Sequence, residues 1–374
     1  ALVGFRLLLK LESFMYAASW AVLVITGFVA VQFALTSMGS GGVNISTGGP
    51  VAEWPSYRKD LGGSDYFPLE QISRDNVFHL EIPLEYHAGD FSDGSDGRQK
   101  TSFQASSIMI EGVLYFSTIY GKVVALDAEL GTELWTFDPS LDRSMRRAER
   151  AIWADSNIAA GDVCQRRIFV GTLDARLISI DAKTGNPCAD FIKSEQIYLS
   201  QGVDLGDYQV DEKEYGVTSL SAIIGDLVVV GSAVGDNRAA TLERGIVRAF
   251  DVRSGEMRWL GDPFPRAPDD PAWATWEDNS SRSTGAANVW PPISVDAERN
   301  LIFVSSSSPS PAYYGRERLG KNSYADSVVA LRGRTGKAVW HSPTVHHKLW
   351  DYDVPAQPTL ITVRKDKQNI PVVA

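Results

Sequence analysis

An all-β fold built from repeated antiparallel units is predicted by three observations. One pattern recurs four times, over 112–135, 167–185, 226–259 and 301–340: a short apolar run, a second apolar run ending in Asp or Arg, and a turn closed by Gly. In three of the four copies a Trp follows the turn glycine four residues on, as in Gly131 and Trp135, Gly255 and Trp259, Gly336 and Trp340. The composition, with 32 Gly and 18 Pro, supplies turns in quantity. Short strands repeated with fixed turn signals point to a β-propeller. A two-sheet sandwich competes, and the recurring Gly-to-Trp interval argues against it.

Taken in chain order, the first element is apolar. No charged side chain occurs from Ser13 through Ala52. At 1.5 Å per helical residue, the stretch from Phe14 to Leu35 is long enough to cross roughly 30 Å of hydrocarbon. Arg6 and Lys10 precede it, so a cytoplasmic N-terminus and an exported remainder are expected. A cleaved signal peptide is the competing reading, but the stretch exceeds a usual signal core and has no obvious Ala-x-Ala site. Residues 1–37 are therefore read as a membrane anchor region and 38–52, rich in Gly, Ser and Thr, as a linker. Residues 53–374 are read as the propeller segment.

The first copy sets Gly112–Ser117 before Val123–Asp127, the second Arg167–Gly171 before Leu177–Asp181. The third sets Asp226–Gly231 before Val247–Asp251, and the fourth starts at Leu301 and ends with Val328–Trp340. Gly131, Gly185, Gly255 and Gly336 lie further apart than the roughly 40–50 residues of a usual blade. Long insertions between paired strands account for the excess, and those insertions are where function is expected. Trp135, Trp259 and Trp340 recur with the repeat, which argues for packing between blades. The last residues, Asn369 to Ala374, read as the start of another strand. Since four copies do not close most propellers, the chain is expected to be the N-terminal part of a longer one.

Several function classes are disfavoured. The formal net charge is −10, and no Lys/Arg stripe accompanies aromatic residues, which argues against a nucleic-acid partner. Arg143, Arg146, Arg147 and Arg150 lie among acidic residues and read as a solvated loop. The acidic loop 87–101 lacks the ordered ligands of an EF-hand. No Gly-x-Gly-x-x-Gly links a strand to a helix, which lowers the case for NAD. No Cys-x-x-Cys-His haem motif is present. Cys164 and Cys188 flank the second copy, and a disulfide and two buried thiols fit the sequence equally.

Four segments carry a family resemblance: Trp54-Pro55-Ser56-Tyr57, Phe103-Gln104-Ala105, the run from Arg167 to Leu177, and the run from Thr344 to Leu360 that contains Trp350-Asp351-Tyr352-Asp353. From about residue 51 onward the chain resembles the pyrroloquinoline quinone (PQQ)-dependent dehydrogenases, specifically the membrane-bound glucose/quinate group. The resemblance implies an eight-bladed propeller with PQQ near its axis, of which this chain supplies about half. It implies a bacterial inner-membrane protein whose propeller faces the periplasm. It also implies oxidation of a small-molecule sugar or cyclic polyol, with hydride going to PQQ and electrons to ubiquinone. A noncatalytic envelope propeller that binds another protein, and an inactive truncated relative, are the rival readings.

The resemblance places the general base at Asp351; a carboxylate there can take the hydroxyl proton while hydride leaves the adjacent carbon. On residues alone, an Asp capping loop amides competes. Asp353 is read as a supporting acid or as a brace for the loop. Asp236 and Asn237 offer hard oxygen ligands to Ca²⁺ or Mg²⁺, against an ordinary Asx turn at Gly-Asp-Asn. A third ligand is assigned to Ser310, with Ser308 as the alternate register. The metal is expected to act as Lewis acid and template for PQQ. Trp290 is read as the stacking platform for the cofactor, against ordinary core packing. His346 and His347 are expected to shape the substrate side of the pocket, and neither is assigned as the base.

Three positions depart from the family pattern. No Arg-Gly pair occurs over 151–162, where a PQQ contact is expected. The basic residue of a later blade falls beyond Ala374. Lys348 stands where close relatives often carry Asp; it is expected either to lower the pKa of the base or to point to solvent.

Overall fold

The computed structural model describes residues 53–374 apart from positions 68, 96, 98, 99, 142–150, 156–163, 193–195, 206, 207, 209, 212 and 236; for 151–155 it describes the backbone alone. The apolar stretch over 14–35 and the linker therefore lie outside the described residues. Among the described residues no helix is long and apolar enough to cross a membrane.

The four repeats fold into four antiparallel sheets of four strands, each a meander in chain order. The first holds β1 (Ile108–Ile110), β2 (Val113–Ser117), β3 (Val123–Asp127) and β4 (Glu133–Phe137). The second holds β5 (Ala151–Asp155), β6 (Arg167–Gly171), β7 (Arg176–Asp181) and β8 (Gln196–Tyr198). A short strand, β9 (Tyr215–Gly216), precedes the third sheet of β10 (Ala222–Ile224), β11 (Leu227–Val230), β13 (Val247–Asp251) and β14 (Met257–Gly261). Between β11 and β13, β12 (Ala233–Val234) pairs back with β9. The fourth sheet holds β15 (Ser294–Asp296), β16 (Leu301–Ser305), β17 (Ser327–Arg332) and β18 (Ala338–Pro343). A hairpin of β19 (Leu360–Lys365) and β20 (Gln368–Val373) follows. Asp366 and Lys367 at its tip both take positive φ, as a tight two-residue hairpin requires.

The second and third sheets are buried between neighbours on both faces, which explains their unbroken apolar runs. Successive side chains of a strand point to opposite faces. Val228 and Val230 of β11 accordingly join Phe169 and Leu177 of the second sheet. Val229, between them, joins Ile302 and Val304 of the fourth. Ile168 and Val170 of β6 join Ile108 and Tyr115 of the first. The fourth strand of a sheet is its outer rim, and β4 and β14 are largely exposed.

The recurring turn is held by its own Asp. The carboxylates of Asp127, Asp181 and Asp251 each accept the backbone N–H groups two and three residues on. The glycine that closes each turn donates its N–H to the carbonyl of that Asp, at 2.8–2.9 Å. Arg332 replaces the Asp in the fourth copy, and the backbone bond from Gly336 to the Arg332 carbonyl survives at 2.8 Å. Around Asp251 burial alone would raise the carboxyl pKa, but the Ser254 and Arg253 amides and the Arg258 guanidinium outweigh it and hold the group down at about 2.

Two of the repeated tryptophans wedge between sheets. The Trp135 indole donates to the Ala182 carbonyl at 3.1 Å and covers Gly185, where a Cβ would lie 2.6 Å from the ring. Trp259 does the same to the next sheet, donating to the Gly333 carbonyl at 2.8 Å and covering Gly336 at 2.4 Å. The second copy lacks the Trp, and Phe191 and Ile192 meet Gly255 instead. Trp340 packs against Phe303 of its own sheet and remains 39% exposed. A register shift recurs at one place in three sheets, at Ala125/Leu126, Ala249/Phe250 and Ala330/Leu331. Cys164 and Cys188 form a disulfide that ties the loop before β6 to the turn after β7.

Candidate active site

The candidate residues come from three insertions: the loop leaving β12, the run from Gly285 to Ser310 around β15 and β16, and the loop 344–358 after β18. Asp351 lies at the centre of the last. It takes φ +55°, a left-handed backbone that non-glycine residues adopt sparingly and that recurs at functional sites. Its Oδ2 accepts from the Asn237 amide at 3.5 Å and from the Tyr313 hydroxyl at 3.3 Å. Its Oδ1 is buried and has no hydrogen-bond partner among the described residues. An orphaned carboxylate oxygen is costly unless something else completes it. A cation or a substrate hydroxyl would.

Two residues on, Asp353 is fully engaged. Its Oδ2 accepts the Trp290 indole N–H at 2.8 Å, and its Oδ1 accepts the Ser308 backbone N–H at 2.9 Å. Trp290 is half-buried, and a carboxylate holds its indole by the N–H. Asp353 braces the loop and the indole together.

The serine run is a hydrogen-bonding spine. Ser307 donates to Asn288 Oδ1 at 3.0 Å, and Asn288 donates onward to the Ser232 carbonyl at 2.9 Å, joining the third and fourth sheets. Ser310 is buried and donates its hydroxyl to the Ala239 carbonyl at 2.5 Å, which joins it to the loop carrying Asn237. Ser308 faces the Asp326 and Asp353 carboxylates at 3.1 and 3.0 Å, and its single hydrogen serves one at a time. Asp236, the other expected metal ligand, lies outside the described residues.

Of the two alternatives for Lys348, the solvent-facing one fails. Its side chain has no exposure and pairs with buried Asp326 at 3.0 Å, with Asp353 at 3.9 Å. Burial pushes the Asp326 carboxyl up, and the Lys348 ammonium pulls it back. His347 is partly buried with Nδ1 2.9 Å from the Gly320 carbonyl, a structural seat, and His346 is exposed. Tyr313, Asp326 and the fully buried Arg318, which holds the Lys348 carbonyl at 2.6 Å, were not singled out by sequence. Tyr313 follows the Ser-Pro run by two residues, the one local hint it offers.

The site therefore joins Asp351, Asn237, Tyr313, Asp353 and Trp290. Asp326 and Asp353 face the Lys348 ammonium, with the Arg318 guanidinium also acting on Asp326, whereas Asp351 has no ion-pair partner among the described residues. The orphaned Asp351 oxygen, on the carboxylate that Asn237 also touches, is where a divalent cation or a substrate hydroxyl fits. The half-buried indole that Asp353 holds suits a flat aromatic cofactor. A separate cleft of about 710 Å³ between the third and fourth sheets, lined by Arg244, Asp262, Arg266 and Tyr324, contains none of these residues.

Comparison with known proteins agrees with the fold. Residues 54–374 match the glucose/ethanol/alcohol dehydrogenase PQQ β-propeller domain. The chain is 32% identical to the quinoprotein glucose dehydrogenase of Escherichia coli over 87% of its own length and 41% of that protein's. It is 33% identical to the quinate/shikimate dehydrogenase (quinone) of Acinetobacter baylyi, over 86% and 41% of the two lengths. Among solved structures, the quinohaemoprotein alcohol dehydrogenase of Pseudomonas putida superposes with a TM-score of 0.69 at 25% identity, covering 86% of this chain and 44% of that one. The chain thus spans about two fifths of the curated relatives' length. With 54–374 matched and the repeats folded as successive propeller sheets, this chain belongs to the PQQ-dependent dehydrogenase β-propeller family.

Proposed function

We propose that the chain carries the base and part of the cofactor seat of a quinoprotein dehydrogenase that oxidises a sugar or cyclic polyol. The observation behind this reading is the buried Oδ1 of Asp351, without a hydrogen-bond partner among the described residues, on a carboxylate that Asn237 touches and two residues before the Asp353 that holds the Trp290 indole. PQQ, when bound, supplies the hydride acceptor that no protein side chain can provide. Asp351 would take the proton from the substrate hydroxyl oxygen while hydride leaves the carbon that bears it. Trp290 offers the stacking face. Asn237, with Asp236 and Ser310, is assigned to Ca²⁺ or Mg²⁺; Asn237 holds its amide against Asp351, and Ser310 orders the same loop through Ala239. Tyr313 and Asn237 orient one carboxylate oxygen and leave the other for the substrate or the ion.

In this reading the four sheets and the hairpin belong to an eight-bladed ring, residues 1–37 anchor it and 38–52 tether it. The ring then faces the periplasm, and electrons pass to ubiquinone at the inner membrane. The similarity to glucose and quinate dehydrogenases supports that placement.

The test is a dye-linked dehydrogenase assay with PQQ and Ca²⁺ or Mg²⁺, screening aldoses and cyclic polyols. Asp351→Asn should lower kcat by about 10²–10⁴-fold, the usual weight of a general base, with PQQ still bound. Activity within a few-fold of the parent would remove Asp351 from that role.

A further inference from the structure

We propose that the buried Lys348–Asp326 ion pair is a positioning device: it locks the Asp353 carboxylate and, through it, the Trp290 indole that Asp353 holds by its N–H and the turn that carries Asp351. This inference rests on the functional reading above and concerns residues which that reading does not use.

The pair is closed off from solvent, with Lys348 side-chain exposure at 0% and Asp326 at 3%. Both residues are anchored at their backbones as well. The Lys348 carbonyl accepts from Arg318, which itself is held by Pro311 and Asn322. The Asp326 carbonyl accepts the Thr344 N–H at 2.9 Å and its hydroxyl at 2.7 Å, pinning the start of the loop that leads to Asp351. The ammonium therefore cannot swing to water, and Asp353 at 3.9 Å feels it as a fixed charge. Ser308 lies between the two carboxylates and can donate to only one. Lys348 is thus the one cation among the described residues recorded as an ion-pair partner of either acid.

A buried ion pair is weak evidence of stabilisation, because apolar residues of similar volume often replace one without loss. Its geometric consequence is stronger. Without Lys348, neither Asp326 nor Asp353 has an ion-pair partner among the described residues, and the Arg318 guanidinium acts on Asp326 alone and only through space. The two carboxylates then repel each other across the serine they share, and Asp353 moves. Its hold on the Ser308 amide and the Trp290 indole weakens, and the Asp351 turn loses its brace. Lys348 and Asp326 touch neither substrate nor the reacting atoms in this account; they are positioning residues.

The experiment compares the PQQ Kd, read by quenching of tryptophan fluorescence, with KM, kcat and thermal midpoint. It uses a full-length chain, its Lys348→Met and Lys348→Arg variants, and the double variant Lys348→Met/Asp326→Leu. The double variant removes both charges and so keeps the test open if Lys348→Met does not fold. The expected result is a thermal midpoint near the parent's for the double variant, with a PQQ Kd raised at least 10-fold and kcat lowered while KM moves little. Lys348→Arg should restore Kd to within about three-fold. A double variant with parental Kd and kcat overturns the inference, as does one whose losses simply follow its thermal midpoint. A parent that binds no PQQ overturns the functional reading itself, and the inference falls with it; the two failures are told apart by the parent alone.

Discussion

Replacing Gly336 by Ala tests whether the tryptophan wedge couples neighbouring sheets. Gly336 has φ +65°, a left-handed conformation that costs an L-residue about 1–2 kcal/mol. A Cβ there would also lie 2.4 Å from the Trp259 ring. The ring cannot retreat easily, since its N–H is held by Gly333 at 2.8 Å and it is only 7% exposed. Overpacking of this kind costs about 1–3 kcal/mol, so the expected total is about 2–5 kcal/mol. Gly225 provides the control. It has φ +61°, and nothing lies within 4 Å of its Cβ position, so Gly225→Ala should carry the backbone cost alone, about 1–2 kcal/mol. Urea denaturation of both variants, with Gly336→Ala repeated in a Trp259→Leu background, separates the two contributions. Equal losses at the two glycines, or strict additivity with Trp259→Leu, would refute the wedge.

Two further predictions concern stability. Asp251 is 14% exposed and its carboxyl sits at about 2, a depression worth about 2 kcal/mol that partial solvent screening reduces to about 1–2. Because its folded pKa lies below the unfolded value, that contribution is present above about pH 4 and is lost as pH falls toward 2; denaturation curves of parent and Asp251→Asn should differ at pH 7 and converge in acid, and a constant gap would contradict the assignment. Cys164 and Cys188 close a loop with a sequence separation of 24, so Cys164→Ser/Cys188→Ser should lose about 3 kcal/mol in denaturant titration; an unchanged midpoint would show that the cross-link contributes nothing.

The repeat was legible because its signals are local. Asp127, Asp181 and Asp251 hold their turns with bonds spanning two or three residues, and the glycine after each takes the backbone no other residue favours. The tryptophan wedges were legible for the same reason, since Trp135 and Trp259 recur at a fixed step from those turns. Asp351, Asn237 and Trp290 were found through a family resemblance, and the structure brings Asn237 to Asp351 across 114 positions of sequence. What was not legible is what depends on a distant partner. A lysine in a polar loop reads as solvated, and nothing in the loop itself shows that Asp326, 22 residues earlier, lies under it. The same holds for Asp353, whose role is set by Trp290 on another insertion, 63 residues away. The disulfide is half legible: Cys164 and Cys188 flank a copy whose hairpin can bring them together, but spacing does not distinguish a bond from two thiols.

Asn237, Asp351 and Trp290 are proposed to share one cofactor seat, and the decisive measurement is a titration of PQQ into this chain and into a full-length chain, with Ca²⁺ and with Mg²⁺. Saturable, metal-dependent binding by the full-length chain is expected, quenching tryptophan fluorescence and weakening at least 10-fold in Trp290→Ala and Asn237→Ala. Binding by neither chain, or binding indifferent to both substitutions, would contradict it.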